Sequence, residues 1–328
     1  MRRVGLFSSA ACGLHDTGWR HPEHQGRLRA LMSNLAGALP RLEGHVIPVE
    51  GEPAAEGRLA SVHSRDHVSR VRGACRAAAE SGGLVHIDAD TVASPGSWAA
   101  ALAAAGCVAD AVEGVFDGRF ESAFCAVRPP GHHATRDRAM GFCLFNNVAI
   151  GARHALDRGS AARVLIVDWD VHHGNGTQAI FWQDPDVFYL SMHMADHYPG
   201  TGAVQERGAG RGAGTVRNLP LPPGLPPERY VAELLDAVGT AAADFRPDLV
   251  LISAGFDSAA GDPLGGFTLR PADFRRVTEG ILASSERTAR GRVVSVLEGG
   301  YDSEVLARCA LAHVEGLAGI NDSRGERP

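Results

Sequence analysis

Asp168, Asp170 and His172 stand at steps of two in the stretch RVLIVDWDVHHGNGT, residues 163–177. If the chain stays extended there, their side chains project from one face. Two carboxylates at the end of a buried strand are costly unless a cation compensates them. A divalent metal does so economically, because Asp and His are ordinary ligands for zinc and similar ions. Gly174, Asn175 and Gly176 supply the tight backbone that such a site needs. The bland alternative is a solvated strand end carrying an incidental acid and imidazole pair.

The elements that must position these groups speak against that alternative. Residues 164–167 form a continuous apolar, β-branched run, the pattern of a strand buried on both faces of a parallel sheet. Similar runs at 123–127, 187–190, 248–253 and 292–297 each end in a polar cluster: RPPGHH, SMH, AGFD and EGGY. Further strands are expected at 4–7 and 46–49. Helical spacing marks 25–39, 61–79, 98–115, 148–156, 228–243 and 272–285. Strands and helices that alternate in this way predict a doubly wound parallel sheet, whose ligands lie outside the carboxyl ends of the strands. Five strands then aim their chemistry at one crevice. The loop after the first strand, with His15, Asp16, Trp19, His21, Pro22, Glu23 and His24, reads as a site rim. The Gly- and Pro-rich region 200–227 lacks GKS, GKT and GxGxxG and reads as long loops within one domain.

Composition sets outer bounds. The chain has 328 residues with 45% hydrophobic content, enough for a sizeable core in a single domain over residues 1–320, with a frayed tail over 321–328. A net charge of -6 argues against a nucleic-acid partner bound through a basic face. The six cysteines are scattered without CxxC spacing and read as reduced core residues. No secretory leader is visible and no stretch reads as a membrane span, so the expectation is a cytoplasmic protein without a membrane partner. Homo-oligomerisation is compatible with all of this. The sequence contains no lysine; if its substrate is an acylated lysine, the chain cannot be its own target.

Taken together, RPPGHH (128–133), GFCLFNN (141–147), DWDVHHGNGTQ (168–178), SAGFDSAAGDPLGG (253–266) and LEGGY (297–301) resemble the zinc-dependent histone deacetylase family. The resemblance extends from His15 to Tyr301 with the motifs in the family's order. Its HHGNGTQ and RPPGHH forms are more similar to the class II branch and to bacterial deacetylase-like and acetylpolyamine amidohydrolases than to class I enzymes. It implies an arginase/deacetylase-like three-layer α/β fold on a single, mostly parallel sheet of about eight strands.

By motif, the resemblance implies that Asp170, His172 and Asp257 hold one zinc ion. It makes His133 the general base and acid, and His132, oriented by Asp168, its electrostatic partner. Tyr301 becomes a donor to the developing oxyanion. Gly141, Phe142, Tyr198 and Leu264 match the acyl-lysine channel, and Asp168, Asp170, His172, Ser191 and Met192 match a structural potassium site. Asn175 stands behind His133 where class I members place a second Asp. Leu264 stands where a polyamine-specific member carries Glu. The implied activity is removal of acetyl or related acyl groups from lysine side chains or similar aliphatic amines, on a peptide or a small acylated amine. Three alternatives stay open: an acetylpolyamine amidohydrolase, a non-catalytic acyl-lysine binding module, against which Tyr301 argues, and an arginase-like dimanganese hydrolase, which would need more acidic ligands.

Overall fold

The protein is described from a computed structural model covering residues 2–18 and 20–320. Trp19 and the tail from residue 321, on which the sequence carries expectations, lie outside these residues. In chain order, β1 (Val4–Ser8), α1 (Gly26–Ala38) and β2 (Val46–Glu50) are followed by α2 (Glu56–Leu59), α3 (Arg65–Ser81) and a small hairpin, β3 (Val85–His86) and β4 (Val92–Ala93). Then come α4 (Ser97–Phe116), β5 (Ser122–Cys125), α5 (Asn147–Asp157), β6 (Val164–Asp168), α6 (Asn175–Phe181), β7 (Val187–Met194) and β8 (Val216–Leu221). The chain continues through α7 (Pro227–Phe245), β9 (Leu249–Ala254), α8 (Pro271–Glu286), β10 (Val293–Leu297) and α9 (Ser303–Ala318).

Eight of the strands form one sheet in the order β2-β1-β5-β10-β9-β6-β7-β8. Every pair in it is parallel. The apolar runs of β5, β6, β9 and β10 are buried at every position, as strands covered on both faces must be. One group of helices (α1, α9, α8, α7) packs in succession, and α3, α4, α5 and α6 form a second, giving helical layers on the sheet. The five strands that end in polar clusters, β5, β10, β9, β6 and β7, are contiguous in the sheet. Their carboxyl ends therefore share one edge, and loops of very different sequence position meet there.

Several expectations need correction. The second expected helix begins at Arg65, not 61, because Ser64 caps it by accepting from His67 N. The Gly- and Pro-rich region carries β8, the outer strand of the sheet; Pro220 is tolerated there because an edge strand need not donate on both sides. Helix α4 is long and apolar enough to cross a membrane, contrary to the sequence reading. In the fold it is a core helix packed on β1, β5, β10 and α5, with most of its residues buried.

Candidate metal centre and its pocket

Strand β6 ends at Asp168, and the chain turns through Asp170 and His172 rather than staying extended. The turn separates the three residues. Asp168 faces sideways, its Oδ2 accepting from the Tyr189 hydroxyl at 2.9 Å and lying 3.1 Å from His132 Nδ1. Asp170 and His172 instead meet Asp257, from the loop after β9, with one ligand atom of each within 4.8 Å of the others. His172 Nδ1 lies 3.0 Å from Asp170 Oδ1 and 3.2 Å from Asp257 Oδ2. Bonds of about 2.0–2.2 Å to a tetrahedral zinc place neighbouring ligand atoms roughly 3.3 Å apart, so these spacings suit one small ion.

The surroundings fit a cation as well. Asp257 Oδ2 is buried and makes no hydrogen bond of good geometry among the described residues, its nearby polar contact being His172 Nδ1 at 3.2 Å, an expensive state for a carboxylate oxygen unless an ion meets it. Burial and the Asp170 carboxylate push Asp257 up, to about 7. Asp170 is held below the usual range: burial opposes this, but His132 and His172 outweigh it. Burial also works against charge on His172, yet the two carboxylates raise it to about 10, so the pocket stabilises positive charge where the ion would sit. Gly299 makes the approach possible, because a Cβ there would lie 1.9 Å from Asp257 Oδ2 and 2.5 Å from Asp170 Oδ2. Its amide donates to Asp170 Oδ2 at 2.8 Å.

Beside this group sit two adjacent imidazoles, their centroids 4.0 Å apart. Burial disfavours charge on His132, but Asp170, Asp168 and Glu298 raise it to about 10. Burial, then the neighbouring His132 and His172, drives His133 well below the ordinary value. One ring is thus a cation at neutral pH and the other a free base, the division of labour that acid–base chemistry requires. His133 Nδ1 lies 2.8 Å from Asn175 Oδ1. Tyr301 stays protonated because burial, Asp257 and Asp170 hold its hydroxyl well above the usual phenol value.

Above these groups opens a cavity of about 320 Å³ lined by His133, His172, Tyr301, Gly141, Phe142, Tyr198 and Leu264, together with Asp90, His197, Pro263 and Gly265. The Phe142 ring meets Tyr301 edge-on at 5.7 Å, and Tyr198 meets His133 at 5.1 Å. Both Gly141 and Phe142 have left-handed backbone, with φ of 57° and 67°. A Cβ on Gly141 would strike the His133 ring at 2.4 Å, so glycine is required. The turn is held by Gly141 N donating to Asp90 Oδ1 and Phe142 N to Thr91 Oγ1. A larger hollow of about 510 Å³ along α3, beside Arg72 and Trp98, lies away from all of these groups and shares none of their chemistry.

Other expected residues fall elsewhere. Ser191 and Met192 lie inside β7 rather than at its end, and Ser191 Oγ is engaged with His193 Nδ1 at 2.9 Å. In the expected rim loop, His21 does reach the channel wall, its ring 4.7 Å from Phe142. Glu23 and His15 do not form a rim, because both are buried. Glu23 accepts from Arg27 and Arg128, and these guanidinium groups bring its carboxyl down to about 2 against the cost of burial. Arg27 in turn donates to the carbonyls of Gly300 and Glu298 and lies 4.9 Å from the centre of the Tyr301 ring. That network fixes the loop carrying Tyr301.

Four supporting residues escape sequence reasoning. Glu298 accepts from the amides of Gly131 and His132, holding the two-histidine turn. Asp262 accepts from the amides of Leu264, Tyr301 and Asp302, and so joins two loops. Asp90 sits on the β3–β4 hairpin, whose two-residue strands leave no periodic signal. His197 stacks on His172 at 4.9 Å and lies 3.0 Å from the Leu264 carbonyl oxygen. EGGY and GDPLGG carry two of the four in plain view, but only the fold shows what their carboxylates hold.

Residues 21–317 match the Histone deacetylase domain family. The chain is 41% identical to Histone deacetylase 15 of Arabidopsis thaliana over 92% of this chain and 53% of that protein. It is 40% identical to Histone deacetylase 7 of Homo sapiens over 96% and 35% respectively. Against the Histone deacetylase-like amidohydrolase of Pseudomonas aeruginosa the identity is 37%, over 92% and 77%. The chain thus spans about half, or less, of the first two relatives. The crystal structure of the HDA15 HD domain superposes with a TM-score of 0.89 at 37% identity, covering 99% of this chain and 90% of that one. The resemblance of the motifs and the eight-stranded parallel sheet are both borne out: the chain belongs to the histone deacetylase family.

Proposed function

We propose that this chain is a zinc-dependent amidohydrolase that removes acetyl or related acyl groups from lysine side chains or similar aliphatic amines. The observation that carries the reading is the meeting of Asp170, His172 and Asp257 with a neutral His133 and a protonated Tyr301 at the base of an aromatic-walled cavity. A bound zinc ion supplies Lewis acidity, polarising a carbonyl and lowering the pKa of a water towards about 7.

The chain's own residues do the rest. His133, neutral in its buried setting, takes a proton from the attacking water and later returns it to the leaving amine. His132, held cationic by Asp168 and Asp170, offsets negative charge that builds up beside it. The Tyr301 hydroxyl donates to the carbonyl oxygen as it becomes an oxyanion. Phe142 and Tyr198 flank an aliphatic stem and exclude water from the reacting amide. Leu264 at the mouth offers apolar contact and no charge, which favours acyl-lysine-type amides over acylated polyamines. The reading assigns one zinc ion per chain, held by Asp170, His172 and Asp257.

The reading extends to a potassium ion beside Asp168, Asp170, His172, Ser191 and Met192. Its support is the register, which sets Asp168 of β6 opposite Ser191 of β7. The zinc assignment is tested by metal analysis of Asp257→Ala, which should lose both stoichiometric zinc and hydrolysis of an acetyl-lysine peptide. A variant retaining both would overturn it. Parallel assays with longer acyl, trifluoroacetyl and acetylspermidine substrates define the substrate class.

A further inference from the structure

Asn175 opens α6, and its side chain has two partners: Oδ1 lies 2.8 Å from His133 Nδ1, and Nδ2 lies 3.4 Å from the thioether sulfur of Met140. A thioether accepts hydrogen bonds and has no proton to give. It therefore distinguishes the two ends of the amide, attracting the NH2 group and offering nothing to the oxygen. His133 alone does not make this distinction. Its neutral ring can donate from Nδ1 to an amide oxygen, or accept at Nδ1 from an amide NH2 with its own proton moved to Nε2.

We propose that Met140 is a positioning residue that acts through Asn175: its sulfur holds the amide with Oδ1 towards His133, which keeps the ring proton on Nδ1 and the Nε2 lone pair free for the pocket. The consequence is chemical. With the amide turned over, Nε2 carries the proton and His133 can no longer accept one from water. The inference rests on the reading of His133 as the base. Met140 directly precedes Gly141, and its backbone N and O both bond to Cys143 across the turn that carries Phe142. The turn that builds the channel wall thus also delivers the sulfur. A carboxylate at position 175 has no NH2 end and would need no such acceptor.

The test is a mutant cycle on the zinc-loaded protein with two readouts. Met140→Leu keeps the side-chain volume and removes the acceptor. It should lower kcat roughly two- to tenfold, the population cost of one weak hydrogen bond, with KM little changed. In long-range proton–nitrogen NMR of histidine-labelled protein, the His133 signals, identified by their loss in His133→Gln, should move from the Nδ1-protonated form towards a mixture. In an Asn175→Asp background, Met140→Leu should have no further effect on kcat. An unchanged tautomer in Met140→Leu overturns the proposal, and so does an equal loss of kcat in both backgrounds, which would mark a packing role. Failure of the base reading looks different: His133→Gln would keep its turnover, while the tautomer shift in Met140→Leu would still appear.

Discussion

At the scale of single residues, the site shifts neighbouring groups of one kind in opposite directions. Asp170 is held ionised while Asp257 is pushed up, and His132 is charged while His133 is not. The sequence supplies the identities of these residues, but their states depend on burial and on which partner each meets. Tyr301 shows the distinction between presence and role. Its ring packs against Phe142 and under Arg27, so it could serve merely as a wall. The hydroxyl matters mainly once the oxyanion forms, so Tyr301→Phe should lower kcat by about 10²–10³-fold. KM and zinc content should change little. A loss confined to KM would make Tyr301 a wall of the channel and not a donor.

At the scale of elements, the five chemistry-bearing strand ends were legible because each buried strand is a short apolar run that stops at a polar cluster. Less was visible where pattern and fold diverge. Strand β8 was hidden by glycine and proline around it, and the β3–β4 hairpin by its length. Helix α9 shows only a narrow polar stripe, with Glu304 and Arg308 exposed, since most of its residues are buried against α1 and α8. The expected extended run from Asp168 to His172 failed because β6 ends at Asp168, yet the turn still brings Asp170 and His172 to Asp257. Loops then set the mouth. Asp262 holds the Leu264 amide and His197 meets its carbonyl, so the loops after β7 and β9 clasp each other at this residue. Leu264→Glu adds a charge to that clasp, worth only about 0–1 kcal/mol to a substrate ammonium at an exposed rim. It should narrow the preference for acetyl-lysine peptide over acetylspermidine, chiefly at low salt. A substrate ratio that stays constant at every ionic strength would remove Leu264 from the mouth.

At the scale of the whole molecule, the fold buries most of its imidazoles, His15, His63, His193 and His313 among them. Burial lowers His15 to about 4 and His63, His193 and His313 each to about 3. An unfolded chain takes up these protons near pH 6.5, whereas the folded chain does not. Their contribution to stability is therefore complete above about pH 6.5 and declines as the pH falls towards 4, by about 1.4 kcal/mol per pH unit for each ring. Glu298, pushed up to about 7 by burial, acts in the opposite sense over the same window, because the folded state holds its proton when the unfolded state has lost it. His132 and His172 do not contribute there, being protonated in both states. Asp257, also pushed up to about 7, acts in the same sense as Glu298, but the lowered histidines outnumber the raised carboxyls, so stability should fall on mild acidification. Metal release would add to that fall, and one residue separates the two effects. His313 is fully buried between Thr278 and Ser295, against Phe124, Trp169 and Phe256, and belongs to no ligand set. His313→Gln removes one titrating ring and leaves the metal ligands in place. Urea unfolding of both proteins at pH 6 and pH 5 should show wild type losing roughly 1 kcal/mol more than the variant between the two. Parallel losses would mean that His313 already carries its proton in the folded protein and adds nothing to the acid sensitivity.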